Sequence, residues 1–344
     1  MHKQTPIFAR TKQITFAIAL LCLASFSSAQ TIKIATLAPE GSGWMNDMRA
    51  GAAEIKQRTD GRVKFKFYGG GVQGNDNQVL RKMRIGQLHG GAFTSNAVSV
   101  FEKNAQLYAV PLLFTSPEEA RYVRARMDHD QRAALEDAGY VNFGFAGGGF
   151  AFIMSKRPIS KPSDTKGLKI WVPDNDPMAF GAVQAMGVSP VKLPLTDVLT
   201  GLQTELIDTI MSPPAAAIVL QWNTAITYIT EQPLAYIFAI LIIEKKAFER
   251  LQPDDQSIVR DVMERVYLKF DQRGDAENAA AHLALLNDGI QPVSLDAKQL
   301  DVWKAAVRDS NHKLAAEGTI DLPLLIKAEC YVTAYRSNIQ EPDC

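Results

Sequence analysis

Metal-binding and disulfide-forming residues are scarce in this chain, which has three cysteines and five histidines in 344 residues. Beyond the amino terminus, no two histidines have the spacing that puts a pair on one helix face or one turn, and no cysteine lies near them. We therefore expect no metal site, and no cofactor is predicted. The histidines in question are His89, His129, His282 and His312.

The chain also lacks an excess of charge and a second long apolar run. It has 37 basic and 37 acidic residues, and without a basic cluster we expect no nucleic-acid partner. The longest apolar segment after the amino terminus, Pro233–Ile243, is shorter than the ~20 residues of a membrane-spanning helix. We predict a buried strand there.

Sequence signals for catalysis are weak. Glu40-Gly41-Ser42-Gly43 lacks the first glycine of the G-x-S-x-G nucleophile elbow, and no serine has a plausible general base beside it. An exported hydrolase is therefore an unfavoured alternative. Gly69–Gly74 contains G-x-G-x-x-G between a predicted strand and a predicted helix, but the strand after that helix ends at Thr94 without a ribose-binding acid. We read the motif as a tight turn near a cleft.

The amino terminus has the three parts of a secretory signal peptide. A basic start is followed by the apolar core Ile14–Phe26 and by the small residues Ser27-Ser28-Ala29. We expect residues 1–29 to be removed after Ala29 and the remaining chain to be exported to the periplasm. Removal leaves 34 basic and 37 acidic residues, a net charge of −3.

Strands and helices alternate along the chain, which predicts an α/β fold with parallel strands. Ile32–Thr94 has the pattern strand, helix, strand, helix, strand. The same alternation returns in Gly167–Pro214, where we predict strands and helices at Leu168–Val172, Met178–Met186, Val188–Lys192, Asp197–Leu202 and Leu206–Met211. Parallel sheets bind ligands beyond the carboxyl ends of their strands, and Trp171–Pro173 is one such end. The length suffices for two lobes.

Several segments are expected to join those lobes. Val141–Phe145 and Phe150–Met154 are predicted as separate strands around three glycines, with Pro233–Ile243 crossing back. Pro253–Asn287 has apolar residues every three or four positions, so it is predicted as one helix of ~50 Å at 1.5 Å per residue. Such a helix is longer than a single lobe and should lie across both, with Gly274 as the expected kink.

After signal removal only Cys330 and Cys344 remain. Two cysteines in an exported protein favour one disulfide. A buried free Cys330 with an exposed terminal thiol is the alternative.

The chain resembles the solute-binding proteins of TRAP transporters, the tripartite ATP-independent periplasmic systems of DctP type. The resemblance runs from about Ile32 to Asp296. It is carried by these segments: Ala38–Trp44, Gly61-Arg62-Val63, Leu80–Leu88, Pro111–Phe114, Gly167-Leu168-Lys169-Ile170, Leu199–Thr204 and Asp208.

This resemblance implies a periplasmic-binding-protein fold of two α/β lobes with a long helix spanning both. It implies a non-enzymatic receptor that captures a small ligand between the lobes and delivers it to the membrane subunits of a TRAP transporter. We expect lobe 1 at residues 30–145 and 234–255, and the lobe 2 core at 146–233. The bridging helix is expected at 253–288, and a C-terminal helical region at 289–344.

One position departs from the family pattern. The arginine that normally follows K-I and grips a substrate carboxylate is replaced by Trp171. The chain therefore looks like a subgroup with K-I-W, some of whose members resemble partners of a helical-repeat periplasmic lipoprotein. Tryptophan offers apolar area and a single N–H donor. We expect an apolar or weakly charged ligand, and keep a carboxylate or dicarboxylate with a different grip as the alternative.

The candidate ligand-binding residues lie at predicted strand ends and at positions matching the family's pocket. A polar residue after the glycine-rich turn is matched by Asn75 or Asp76. Met211-Ser212 replaces the family's usual Gln/Glu-Asn pair. The full set is Trp44, Asn75, Thr94, Phe150, Phe152, Trp171, Met211, Ser212 and Trp222.

Overall fold

The computed structural model describes residues 29–344 and has an α/β architecture. The strands are β1 (Gln30–Thr36), β2 (Val63–Tyr68), β3 (Gly90–Thr94), β4 (Tyr140–Ser155), β5 (Trp171–Pro173), β6 (Val191–Leu193), β7 (Thr209–Ser212), β8 (Tyr228–Glu244) and β9 (Gln291–Val293). The α-helices are α1 (Gly43–Arg58), α2 (Asp76–Arg84), α3 (Ser95–Val98), α4 (Pro117–Asp137), α5 (Pro177–Ala185), α6 (Val198–Gln203), α7 (Pro214–Val219), α8 (Lys245–Phe248), α9 (Pro253–Asn287), α10 (Ala297–Ala316) and α11 (Leu322–Arg336). Short 3-10 helices lie at Lys103–Ala109, Pro162–Thr165, Leu195–Asp197 and Trp222–Ala225.

Local signals in the sequence explain where several helices begin. The Ser42 hydroxyl accepts the Met45 N–H at the start of α1. At the start of α2, Asn75 and Gln78 form a reciprocal capping box, which satisfies two backbone donors that the helix leaves unpaired. Helices α4, α5 and α9 have proline in their first turn, where the missing N–H costs nothing.

The main sheet is mixed. Its seven strands run in the order β2-β1-β3-β8-β4-β7, with β9 beside β8. The contacts of β1 with β2 and β3 are parallel, whereas β3–β8, β8–β4 and β4–β7 are antiparallel. A second, two-stranded parallel sheet is formed by β5 and β6, and the bridge between Ile170 and Thr209 joins it to β7.

The two long central strands differ from the sequence prediction. Val141–Phe145 and Phe150–Met154 are not separate, because β4 continues through the three glycines as one strand of 16 residues. Pro233–Ile243 is likewise only part of the 17-residue β8. Register shifts between β4 and β8 occur at Asn142/Phe145 and Gly147/Gly149, so the glycines bend the strand without ending it.

Side chains from two helices satisfy the backbone where this register shifts. Arg124 of α4 donates to the Phe145 carbonyl at 2.8 Å and to Asp271 Oδ1 at 2.6 Å. The same Asp271 oxygen, on α9, accepts the Gly147 N–H at 2.9 Å. A buried backbone group without a partner is costly, so this cluster makes the irregular strand tolerable.

The long helix α9 packs on α1, on β4 and on α7. It therefore contacts elements from both predicted lobes, and the two-lobed fold with a spanning helix is confirmed. The helix is not interrupted at Gly274. A Cβ at Gly274 would lie 2.1 Å from the Gly147 carbonyl oxygen, so glycine permits close approach to β4.

Apolar residues form four clusters. Two lie on the sheet, one beneath α1 and α9 and the other beneath α2, α4 and α11. The other two lie around β5, β7 and the helices that follow them, and they include Trp303, Trp171 and Trp222.

The predicted signal peptide falls, except for Ala29, outside the described residues. Among residues 29–344 no helix is both long enough and apolar enough to cross a membrane. Cys330 and Cys344 are joined by a disulfide with Cα atoms 5.8 Å apart. It ties the end of the chain back to α11.

We predict that Gly274→Ala destabilises the protein, although alanine is the better helix former. The added Cβ must push α9 away from Gly147, and overpacking of this kind costs ~1–3 kcal/mol. Urea unfolding of Gly274→Ala measures the effect, with the exposed Gln272→Ala one half-turn away as control. A variant as stable as the native protein would contradict the proposed role of this contact.

We predict that reduction of the disulfide lowers the free energy of unfolding by ~3 kcal/mol, the chain-entropy value for a loop of about 15 residues. Unfolding is measured on the exported chain with and without reductant. The double variant Cys330→Ser/Cys344→Ser is the control, because reductant should leave it unchanged. Two free thiols in non-reduced periplasmic protein would show that the bond does not form there.

Candidate functional site

A cavity of about 230 Å³ lies between the two halves of the fold. Its walls come from the end of β3, from the middle of β4 and β8, from the segment that joins β5 to α5, from β7, and from α10. Most of the lining is aliphatic or aromatic. The ends of β3 and β5 open onto it, as expected for ligands beyond the carboxyl ends of parallel strands.

Five of the nine candidate residues line this cavity. They come from four segments spread between residues 94 and 222, so only the fold brings them together. They are Thr94, Trp171, Met211, Ser212 and Trp222.

Trp171 and Trp222 meet edge to face, with ring centroids 5.4 Å apart and planes at 67°. Both are almost fully buried, at 4% and 3% exposed. The Trp171 indole N–H donates to the Leu193 carbonyl on β6 at 3.0 Å. Because its only donor is used within the protein, Trp171 can offer a ligand its apolar ring and no hydrogen bond.

Met211 and Ser212 lie on β7, beside Ile153 and Phe152 of β4. The Ser212 hydroxyl donates to the Pro213 carbonyl at 3.0 Å, and Ser212 is buried. Thr94 is the last residue of β3 and is partly exposed. Its hydroxyl adds polar character to this wall.

The other four candidates lie elsewhere. Trp44 stacks on Phe270 of α9 with ring centroids 5.3 Å apart, so it joins the packing of α1 on α9 and does not line the cavity. The Asn75 side chain accepts the Gln78 N–H in the capping box of α2. Asp76, the alternative at that turn, lines the cavity instead.

Phe150 and Phe152 are also turned away from the cavity. Phe150 packs edge to face on Tyr236, and Phe152 packs on His282. Ala151, between them, lines the cavity, as the alternation of strand side chains requires.

The main residues that sequence reasoning missed are acids. Asp174, Asn175 and Asp176, between β5 and α5, line the cavity together with Asp76. The available signal was the polar run Asp174-Asn175-Asp176 directly after a predicted parallel strand, a position where ligands bind.

Hydrogen bonds close the cavity between elements that are far apart in sequence. Asn77 of α2 donates to Asp174 at 2.9 Å and accepts from Asn175 at 2.8 Å. Asn96 donates to Asp176, which also caps α5 by accepting the Ala179 N–H at 2.9 Å. These contacts join Asn77 and Asn96 to the segment after β5 at the cavity.

The carboxylates of the cavity are desolvated. Burial raises the pKa of Asp76 from its ordinary value of 3.8 to about 6, and the nearby charge of Asp174 adds to the rise. Burial also raises the pKa of Asp176, against the opposing effect of its hydrogen bonds to Ala179 and Asn96. The carboxylates of Asp76 and Asp176 are therefore less stable as anions than they would be in water.

No lysine, arginine or histidine among the described residues lines the cavity. Arg157, which follows β4, donates to the Lys166 carbonyl, and Arg84 of α2 lies over the Phe101 ring. Neither of these arginines lines the cavity. Within residues 29–344 no group of three or more His, Cys, Asp or Glu side chains is placed to hold a metal ion.

Comparison with known proteins agrees with this architecture. The family model for DctP, described as bacterial extracellular solute-binding protein family 7, matches residues 34–317. A solute-binding protein of Roseobacter denitrificans is 27% identical over 72% of this chain and 76% of its own length. The 2,3-diketo-L-gulonate-binding periplasmic protein YiaO of Escherichia coli is 25% identical over 74% of this chain and 80% of its own.

A solved structure is also similar. The sugar acid binding protein DctPAm of Advenella mimigardefordensis, in complex with galactonate, superposes with a TM-score of 0.81 at 18% identity, covering 88% of this chain and 98% of that one. At that identity the likeness supports the fold alone. The family match spans most of the chain, so the protein belongs to the DctP family of bacterial extracellular solute-binding proteins.

Proposed function

We propose that the protein is the solute-binding subunit of a TRAP transporter and that it closes on a small, apolar or weakly charged organic ligand in the cavity described above. It then delivers the ligand to the transporter's membrane subunits. The observation that supports this ligand class is the cavity wall itself, which includes Trp171 and Trp222 and, among the described lining residues, no basic side chain.

The proposed motion is a hinge between two lobes. Lobe 1 comprises residues 30–145 and 234–255, lobe 2 has its core at 146–233, and the helix expected at 253–288 supports both. The bonds of Asn77 and Asn96 to the segment after β5 join these two lobes, so they are the contacts that opening would break.

Two alternatives are less well supported. A carboxylate ligand would need hydrogen-bond donors other than arginine, such as the backbone N–H groups at a helix start. At the helix starts near the cavity these groups are already bonded: Asp176 caps α5, and the Ala215 N–H at α7 donates to Asn278. A hydrolase would need a free nucleophile, whereas Ser42 is engaged in capping α1. A helical-repeat lipoprotein stays a proposed accessory partner on sequence resemblance alone.

The receptor function is tested with protein purified from the periplasm. Mass spectrometry identifies whatever solute co-purifies, and a thermal-shift screen of neutral, cationic and anionic solutes identifies others. We expect at least one solute to raise the melting temperature, to reduce the radius of gyration in X-ray scattering, and to be recovered unchanged. Conversion of the bound solute to a product would indicate an enzyme, and no response to any solute would contradict the receptor function.

We predict that Trp171→Ala weakens binding of the tightest solute in that screen by ~1–3 kcal/mol, the scale of a lost aromatic contact. Trp171 is also packed in the apolar core of its lobe, so some stability is lost as well. Leu202→Ala is the matched control, because Leu202 belongs to the same cluster but does not line the cavity. Titration calorimetry should show weakened binding for Trp171→Ala only. Equal losses in both variants would place Trp171 in the core alone.

A further inference from the structure

All charged residues among the described lining of the cavity are acidic. Asp76 comes from α2, and Asp174 and Asp176 come from the segment after β5, so the carboxylates approach from two walls. Among the lining residues that the structure describes, nothing basic balances them. An anionic ligand in this space would meet like charges at reduced dielectric, which is strongly unfavourable.

Asp76 has a property that the other two lack. Asp174 accepts a hydrogen bond from Asn77 at 2.9 Å, and Asp176 accepts from Ala179 and Asn96. Asp76 is partly exposed, and within residues 29–344 no hydrogen bond or ion pair of its carboxylate is found; partial burial is the main cause of its raised pKa. A partly desolvated carboxylate without a protein partner is costly, and Asp76 lies in the wall of a cavity large enough for a small molecule.

The counter-charge is not a metal ion. The three aspartates are not arranged as metal ligands, as no such group exists in the described part of the chain. Aromatic and acidic residues line the same cavity: Trp171 begins β5, and Asp174 directly follows its last residue, Pro173. Acids beside aromatic faces are a combination that suits organic cations.

We propose that the cavity takes a small organic cation, a protonated amine on an apolar body, with its ammonium group between Asp76 and Asp174 and its apolar part against Trp171 and Trp222. This inference rests on the proposed receptor function and names its ligand class. An ammonium N–H supplies the charge-assisted hydrogen bonds that Asp76 lacks. The apolar body of the ligand is buried against the Trp171 ring, a contact that needs no free indole N–H.

The test uses three probes with one apolar body: 2-phenylethylamine, 2-phenylethanol and phenylacetate. Calorimetric titration at about pH 7.5 should show the amine binding at least about tenfold more tightly than the alcohol, with phenylacetate weakest, because only the amine pairs the buried charge. Equal or tighter binding of the alcohol or the acetate overturns the amine assignment and leaves the receptor function standing.

The matched variants are Asp76→Asn and Asp197→Asn. Asp197 is exposed, ends the 3-10 helix before α6 and does not line the cavity. Asp76→Asn should weaken amine binding roughly 10-fold to 100-fold and leave alcohol binding within about twofold, since only the charge is removed. Asp197→Asn should change neither. Loss of amine affinity in both variants would indicate a general field effect and overturn the assigned contact.

A ligand-free measurement gives an independent readout. In the folded protein the pKa of Asp76 is raised from 3.8 to about 6, so the folded state holds that proton more tightly and ionised Asp76 costs stability as pH rises through this interval. Asp76→Asn should raise the melting temperature of ligand-free protein at about pH 7.5 but not at about pH 4. No gain at the higher pH would show that Asp76 is not an unpaired, desolvated charge.

Failure of this inference and failure of the receptor function are distinguishable. If none of the three probes binds and the solute screen yields a neutral or anionic ligand, the amine assignment is wrong and the receptor function holds. If neither experiment yields a ligand, both are wrong.

Discussion

The close contact between the long helix and the bent strand β4 is the constraint on which the rest of the structure depends. Gly274 has no Cβ, so the helix can lie against the Gly147 carbonyl. One turn later, the Asn278 amide donates to the carbonyls of Gly148 and Gly274, and its oxygen accepts the Ala215 N–H. A single side chain therefore joins the helix, the crossing strand and the start of α7. Gly148 is also part of the cavity wall, so the contact that supports the fold also positions the binding site.

The irregular part of β4 is tolerated because charged groups replace the missing ladder bonds. Arg124 and Asp271 bond the backbone at Phe145 and Gly147, and the Arg124 guanidinium lies 4.9 Å from the centre of the Phe238 ring. Arg124 pairs with Asp128 as well as with Asp271. Removing Arg124 would therefore leave two partly buried carboxylates without their shared counter-charge, which is far more costly than the pairs themselves are stabilising. The bend in the strand, the long helix and the cavity wall are thus one connected arrangement.

Residues that line the cavity also contribute to the core and to the contacts between the two halves of the fold. Its tryptophans serve both as core and as wall: Trp171 is anchored by its own N–H on Leu193 and by the edge of Trp222. Asp174 and Asp176 serve both as contacts between the two halves of the fold and as part of the charged lining. Changes to the lining therefore also affect stability or closure, and control variants from the same cluster or the same kind of turn are needed to separate these effects.

Periodicity and capping in the sequence were enough to place most elements. Met178–Met186 and Asp197–Leu202 correspond to α5 and α6, and Pro253–Asn287 is the long helix. The prediction of two separate strands was wrong because of the glycines of β4. Glycine ends a strand in one context and bends it in another, and here the contacts with Asp271 and Asn278 determine the outcome.

The sequence by itself determined the α/β class and the spanning helix, because these depend on local pattern. The tertiary structure decided which side chains share the cavity. It placed Trp44 on α9. It turned the side chains of Phe150 and Phe152 away from the cavity, which Ala151 lines. It also brought Asp76 close to Asp174, which lies about a hundred residues further along the chain. Those outcomes depend on strand register and on helix packing, and both are properties of distant contacts.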